Sequence, residues 1–210
     1  MPRPRRRLAA LATALAAAFT VPLGPAAAPA AAAELRVDPV ITAAGPMAVL
    51  FIEGPIEVGD WSRFMKLLRA HPEVAAVALA SEGGSLDDGL AIAKQVHERQ
   101  LDTALVATCH SVCSIIFLAG AERFVPPDFR LSVHSAYKQL GNFTARDEHA
   151  NDTVAWFLGA MGYPLALARL WNDTAPEDAA AITWAHNDKW QLGFQPIDPL
   201  VTVRSARLTP

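Results

Sequence analysis

The chain has 210 residues, 52% of them hydrophobic, with 18 basic against 21 acidic side chains and a formal net charge of −3. Past residue 7 the basic residues are scattered, so an obvious nucleic-acid or anionic-membrane binder is excluded. The two cysteines form a lone C-x3-C pair with no second ligand pair after it, which is not a zinc pattern.

The N-terminus reads as a secretory signal peptide over residues 1–33. Arg3, Arg5, Arg6 and Arg7 make a basic start, Leu8 to Phe19 an apolar run, and Ala31-Ala32-Ala33 a small-residue cleavage site. The apolar run is short for a membrane span. An uncleaved membrane anchor is the alternative, and the arginine run hints at twin-arginine export. Cleavage after Ala33 leaves 177 residues with 14 basic and 21 acidic groups, net −7, enough for one domain with a real core. The predicted location is periplasmic or secreted, an oxidising setting that permits a disulfide.

Residues 34–46 read as a loose N-terminal arm with a short strand, 47–194 as the folded domain and 195–210 as a surface-wrapping tail. Met47 to Glu53 is a buried strand. Asp60 caps a helix through Arg69, with Phe64, Leu67 and Leu68 on one face. Val74 to Ala80 is a second buried strand. Ser85 and Asp88 form a capping box for a helix to about Arg99, with Leu86, Leu90, Ala93 and Val96 inward. Ala104 to Ala107 is a third strand, and Arg130 to Val133 a fourth that ends at His134. Thr144 opens a helix with Asp147 at N3. Two more helices are predicted, from Pro164 to Trp171 and from Pro176 to about Ile182. Strand and helix alternate, and the strands are near-continuous apolar runs. That pattern predicts an α/β fold, a mainly parallel sheet with helices on both faces. Such sheets gather ligands at the carboxyl ends of their strands.

Two loops leave at that edge. Ser81-Glu82-Gly83-Gly84-Ser85 is a backbone device: its glycines turn tightly and can aim N–H donors at a developing negative oxygen. A plain strand-to-helix turn is the simpler alternative. In Cys109-His110-Ser111-Val112-Cys113 a strand gives way to a short apolar helix, with the Ser111 hydroxyl at the helix start. Ser111 could serve only as an N-cap, and Ser114 competes for either role. His134, at the end of a later strand, could take a serine proton. Its simpler reading is a half-buried histidine satisfied by backbone.

At this point the chain resembles the proteolytic subunit of Clp proteases, within the ClpP/crotonase-like superfamily. "SEGGSLDDGLAIAKQV" is similar to the family's glycine turn and following helix. "TALVATCHSVCSIIFLAG" resembles its serine elbow, "RLSVHSA" the strand that delivers the histidine, and "AITWAHNDKWQLGF" the closing block. The likeness runs from about Met47 to Phe194. It implies a single domain of ββα units after the signal peptide, with Ser111 as nucleophile and His134 as general base. It also implies an oxyanion hole from the Gly84 and Val112 N–H groups, shaped by Gly83. The activity implied is that of an exported, peptidase-like serine hydrolase acting on peptides or unfolded protein. No metal or organic cofactor and no nucleic acid are implied. No ATPase partner is expected outside the cytoplasm, and relatives commonly self-associate, so a homo-oligomer is in view.

Three departures stand out. Glu82 replaces the family's proline. His110, Val112 and Cys113 make the elbow bulkier. No carboxylate stands where the acid behind the histidine should fall, near Ala181 to Ala185; Asp178 and Asp188 flank that region, with Asn187 a weaker choice. Absence of an orienting group would lower the rate by orders of magnitude. A catalytically weak or inactive relative that binds a peptide or protein partner in the same cleft is therefore the alternative function, and a coenzyme A-type enzyme a minor third. Cys109 and Cys113 would lie about 6 Å apart on a helical turn, so either a disulfide or two buried thiols fits. A Cys113 nucleophile, a thiol–disulfide enzyme and a Ser111–Lys138 dyad are lesser options. Trp156, Trp171, Trp184 and Trp190 read as packing residues.

Overall fold

The computed structural model describes residues 32–42, 45–141 and 143–197. Most of the predicted signal peptide and the tail from residue 198 onward lie outside the described residues. The chain enters as a hairpin. β1 (Glu34–Thr42) pairs antiparallel with β2 (Gly45–Glu53), from Glu34 opposite Glu53 to Thr42 opposite Gly45. The expected loose arm is thus a full edge strand. Leu35 and Val37 pack on the core. Arg36 clamps the hairpin through both Glu53 oxygens, at 2.7 and 3.0 Å. Pro39 fits because an edge strand leaves one side free of ladder bonds.

Next come α1 (Asp60–Ala70), β3 (Ala76–Ser81), α2 (Leu86–Glu98) and β4 (Asp102–His110). β2, β3 and β4 run parallel. Alternate residues divide the strands between two faces. Leu50, Ile52, Val77, Leu79 and Leu105 are fully buried in the large core beneath the helices. Val49, Phe51, Ala76 and Ala78 make a small cluster on the opposite face, and no helical residue belongs to it. The helices therefore cover one face, where the sequence pattern suggested two. Val40 of the edge strand β1 joins that second cluster.

Both predicted helix starts shift in detail. Asp60 sits inside the first turn of α1, where it accepts from Glu57 N at 2.9 Å and pairs with Arg63 at 2.6 Å. Ser85 caps α2 by accepting from Asp88 N at 3.4 Å. Asp88 does not close the capping box: its Oδ1 reaches across to Gly59 N at 3.0 Å and Trp61 N at 2.8 Å, serving the orphan amides of α1.

On the edge away from β3, β4 serves two further partners. Thr103 and Ala104 pair with β5 (Arg123–Val125), while Thr108 to His110 pair with β6 (Arg130–Val133). Between them lies α3 (Val112–Leu118), buried along its whole length. A separate hairpin follows, β7 (Tyr137–Leu140) with β8 (Phe143–Arg146). Thr144 lies in β8 and does not open a helix. Asp147 is the N-cap of α4 (Glu148–Ala160), accepting from Ala150 N at 3.3 Å. α5 (Leu165–Asp173) follows as predicted. The helix expected over Pro176–Ile182 is absent. Ala180–Ile182 is β9, antiparallel to β6, because pairing that open edge outweighs the helix propensity of three alanines. α6 (Trp184–Trp190) and β10 (Phe194–Pro196), parallel to β5, complete the described chain. No described helix is long and apolar enough to cross a membrane.

Candidate active site

Sheet register brings the three predicted segments together. His110 lies opposite Ser132, so Ser111 and His134 emerge side by side past the ends of β4 and β6. Ser81 lies opposite Cys109, so the glycine loop emerges beside them. All three leave at the same carboxyl edge.

Ser111 forms a tight elbow, with φ 57° and ψ −129°. A serine in that region is strained by roughly 1–3 kcal/mol and persists only where its surroundings hold it. Here they do. Ser111 N donates to Ser132 O at 3.0 Å, and Ser111 O accepts from Ser114 N at 2.9 Å. Cys109 and Cys113 bracket the elbow at bonding distance, S–S 2.01 Å and Cα–Cα 5.3 Å, both wholly buried. Ser114 is buried and its Oγ donates to Ser132 O at 2.7 Å, so it cannot stand in for Ser111. Ser111 occupies the N-cap position of α3 but makes no side-chain cap bond, which leaves its hydroxyl uncommitted.

The glycine loop is moulded to this elbow. Gly83 has φ 90°, and a Cβ there would lie 2.8 Å from both His110 O and Ser111 Cβ. Gly84 has φ 137°, and a Cβ there would lie 2.1 Å from Ile56 O. No other residue fits either place. Ile56 N donates to Gly83 O at 2.8 Å and Ser85 N to Ile56 O at 2.7 Å. That bridge leaves the Gly84 N–H unused. Val112 opens α3, so its N–H has no acceptor within the helix.

His134 is 7% exposed. Its Nδ1 lies 2.9 Å from Ser135 O. A carbonyl can only accept, so Nδ1 carries the proton and Nε2 is left as a lone-pair acceptor. Trp171 stacks on the ring at 6.2 Å and 12°, Tyr137 lies 5.9 Å away, and His110 approaches to 4.8 Å. Asn151, wholly buried, holds this wall in place. Its Oδ1 accepts from Ala136 N at 2.7 Å and Trp171 Nε1 at 2.8 Å, and its Nδ2 donates to Ala136 O at 3.0 Å and Asp147 O at 2.8 Å. Sequence reasoning missed Asn151, and it read Trp171 only as packing. An asparagine on the inner, apolar face of α4 was the signal available.

His110 Nδ1 lies 2.7 Å from Ser132 Oγ. Burial, and then the like charge of neighbouring His134, hold the His110 pKa below the ordinary imidazole value; a hydrogen bond to the Ser132 backbone and the Glu82 carboxylate oppose this.

Asp178 and Asp188 are not brought to the site. Both are exposed, neither borders the cavity, and the partner of His134 Nδ1 is a backbone carbonyl. This corrects the expectation of an orienting acid from either residue. Asn187 is also engaged elsewhere, accepting from Phe194 N at 2.7 Å. Lys138 pairs with Asp147 at 2.8 Å and does not form a dyad with Ser111.

Ser111, Val112, His134, Gly83 and Gly84 line one cavity of about 600 Å³. Among the described residues neither Ser111 Oγ nor His134 Nε2 has a hydrogen-bond partner, and both residues line that space. No described group of three or more His, Cys, Asp or Glu is placed to hold a metal ion.

No family model and no curated protein matches this sequence. A solved structure that it resembles is the 1510-N membrane-bound stomatin-specific protease, in a serine-to-alanine mutant form. The two share 13% identity and a TM-score of 0.53 over 68% of this chain and 74% of that one. At that identity the likeness speaks to architecture alone. The protein has a mixed α/β, Clp-protease-like fold.

Proposed function

We propose that this protein is an exported serine hydrolase of peptidase type, with Ser111 as nucleophile and His134 as general base. The observation that carries the reading is the elbow: a strained serine with an uncommitted hydroxyl, sharing one cavity with a histidine whose Nε2 is free. Ser111 Oγ attacks the substrate carbonyl while Nε2 takes its proton. The Gly84 and Val112 N–H groups hold the oxyanion, a contribution on the order of 3 kcal/mol per donor. Imidazolium then protonates the leaving amine, and the C–N bond breaks to leave an acyl-serine. Water, deprotonated by Nε2, hydrolyses that ester and restores the serine. The site would act on peptides or unfolded protein in the periplasm or outside the cell.

A second reading is a weak or inactive relative that binds a peptide in the same cleft. One observation favours it. The Ser135 carbonyl fixes the tautomer of His134 but adds no full negative charge to stabilise an imidazolium.

A fluorophosphonate probe separates the two. Labelling of the folded protein is expected, lost in Ser111→Ala and kept in Ser114→Ala. No labelling of a folded protein, or equal labelling of Ser111→Ala, would rule out the hydrolase.

A further inference from the structure

Resting on the hydrolase reading above, we propose that the cavity selects a substrate with a cationic, lysine- or arginine-type side chain beside the bond to be cleaved, recognised by Glu82 and Asp87. Glu82 immediately precedes the glycine loop, and Asp87 stands in the first turn of α2; both line the cavity. Neither makes an ion pair among the described residues, unlike Asp147, which lines the same cavity and which Lys138 neutralises at 2.8 Å. No lysine or arginine lines the cavity. The cavity therefore carries two unpaired carboxylates; both are exposed, so their attraction for a cation is one that salt screens. Glu82 also favours the protonated form of His110, the residue before Ser111, so its charge reaches the elbow.

The apolar features of the cavity fit the same ligand. Tyr137 and Trp171 line it, with the Tyr137 ring half exposed. The aliphatic stem of a lysine or arginine can lie along such rings, and its head gains a cation–π contact. His134, nine-tenths buried, lines the same space and leaves Nε2 without a partner among the described residues. A cation held at Glu82 and Asp87 brings the adjoining carbonyl into the cavity that Ser111, His134 and the glycine loop share. An anionic side chain meets two unpaired carboxylates there.

The test uses the full chain, made in an oxidising compartment, with matched N-acyl thioesters of lysine, norleucine and glutamate. Norleucine keeps the stem of lysine without its charge. The lysyl-to-norleucyl ratio of kcat/KM is expected at roughly 10-fold or more in low salt, with glutamyl lowest, and should collapse towards one in high salt. The Glu82→Gln, Asp87→Asn double variant should bring the ratio to within about twofold of one, given the Coulomb energy of two charges at such range. Ser111-dependent turnover with equal rates for all three thioesters would overturn the charge preference and leave the hydrolase standing. No turnover at all would sink the hydrolase reading instead. Calorimetry of lysyl and norleucyl peptide amides on Ser111→Ala then decides the preference: tighter lysyl binding supports it and equal binding refutes it.

Discussion

Asn151 offers the sharpest test of how the site is held. Its side chain makes four hydrogen bonds: two accepted, from Ala136 N and Trp171 Nε1, and two donated, to Ala136 O and Asp147 O. It is wholly buried, and every polar atom is matched. Asn151→Ala removes all four bonds and strands two donors, Ala136 N and Trp171 Nε1; Ala136 O still accepts from Asp147 N at 3.0 Å, and Asp147 O from the backbone N of residue 151. At about 1 kcal/mol net per bond, with an added penalty for the buried orphans, the loss is roughly 3–5 kcal/mol. That is a large share of a typical domain's 5–15 kcal/mol, so the variant should fold but melt early. Asn151→Asp separates shape from chemistry. Its carboxylate still accepts from Ala136 N and Trp171 Nε1, but it turns an acceptor towards Ala136 O and Asp147 O. Ionisation is disfavoured in that place, so the folded-state pKa of the new carboxyl rises above the unfolded value. Between the two values the folded state binds more protons, and stability falls as pH rises. Urea denaturation followed by tryptophan fluorescence should therefore show Asn151→Asp close to wild type near pH 4 and well below it at pH 7.5. Fluorophosphonate labelling should slow in parallel, because Ala136 and Trp171 flank His134. Asn151→Ala within 1 kcal/mol of wild type and labelling at the normal rate would refute the reasoning.

Two further outcomes follow from the elbow. Replacing Cys109 and Cys113 with alanine opens a loop of sequence separation four, which in the chain-entropy account removes about 2 kcal/mol of stability. It also frees Ser111 to relax, so urea midpoints and probe labelling should both drop; an unchanged labelling rate would show that the backbone bonds alone hold the elbow. His110 is half-buried with its pKa below the ordinary value, so the unfolded chain binds its proton first as pH falls. Stability is then full above about pH 6.5 and declines below it. His110→Gln should flatten that decline in urea titrations between pH 7 and 5, and an unchanged slope would count against a neutral His110.

Parts of this were legible in the sequence, for physical reasons. The β2, β3 and β4 runs are apolar on both faces, and buried parallel strands leave that mark. Ser85 advertises a helix start because an N-cap needs a short oxygen-bearing side chain. β9 was illegible: Ala180, Ala181 and Ile182 become a strand only because β6 offers an edge, a fact outside the local window. The β7–β8 hairpin was hidden in the same way, in a polar stretch with no alternating apolar face.

At the site, the sequence reading found side chains and missed backbone. Ser111, His134 and the glycine pair stand out as residue types with reactive or conformational meaning. The partner of His134 could not be found by searching for a carboxylate, since a main-chain oxygen belongs to every residue. Its position depends on how Ser135 is held. Ser135 N donates to Thr174 O at 2.9 Å, beyond the end of α5, and Ala136 is fixed at both its N–H and C=O by Asn151. The peptide that faces Nδ1 is thus tied on either side to elements distant in sequence. A side-chain acid can reorient about its own torsions, whereas this carbonyl moves only if β6, α4 and the end of α5 move with it. The site therefore gives up the charge of an acid and keeps its positional role, which is why tautomer control and imidazolium stabilisation, usually lost together, are separable here.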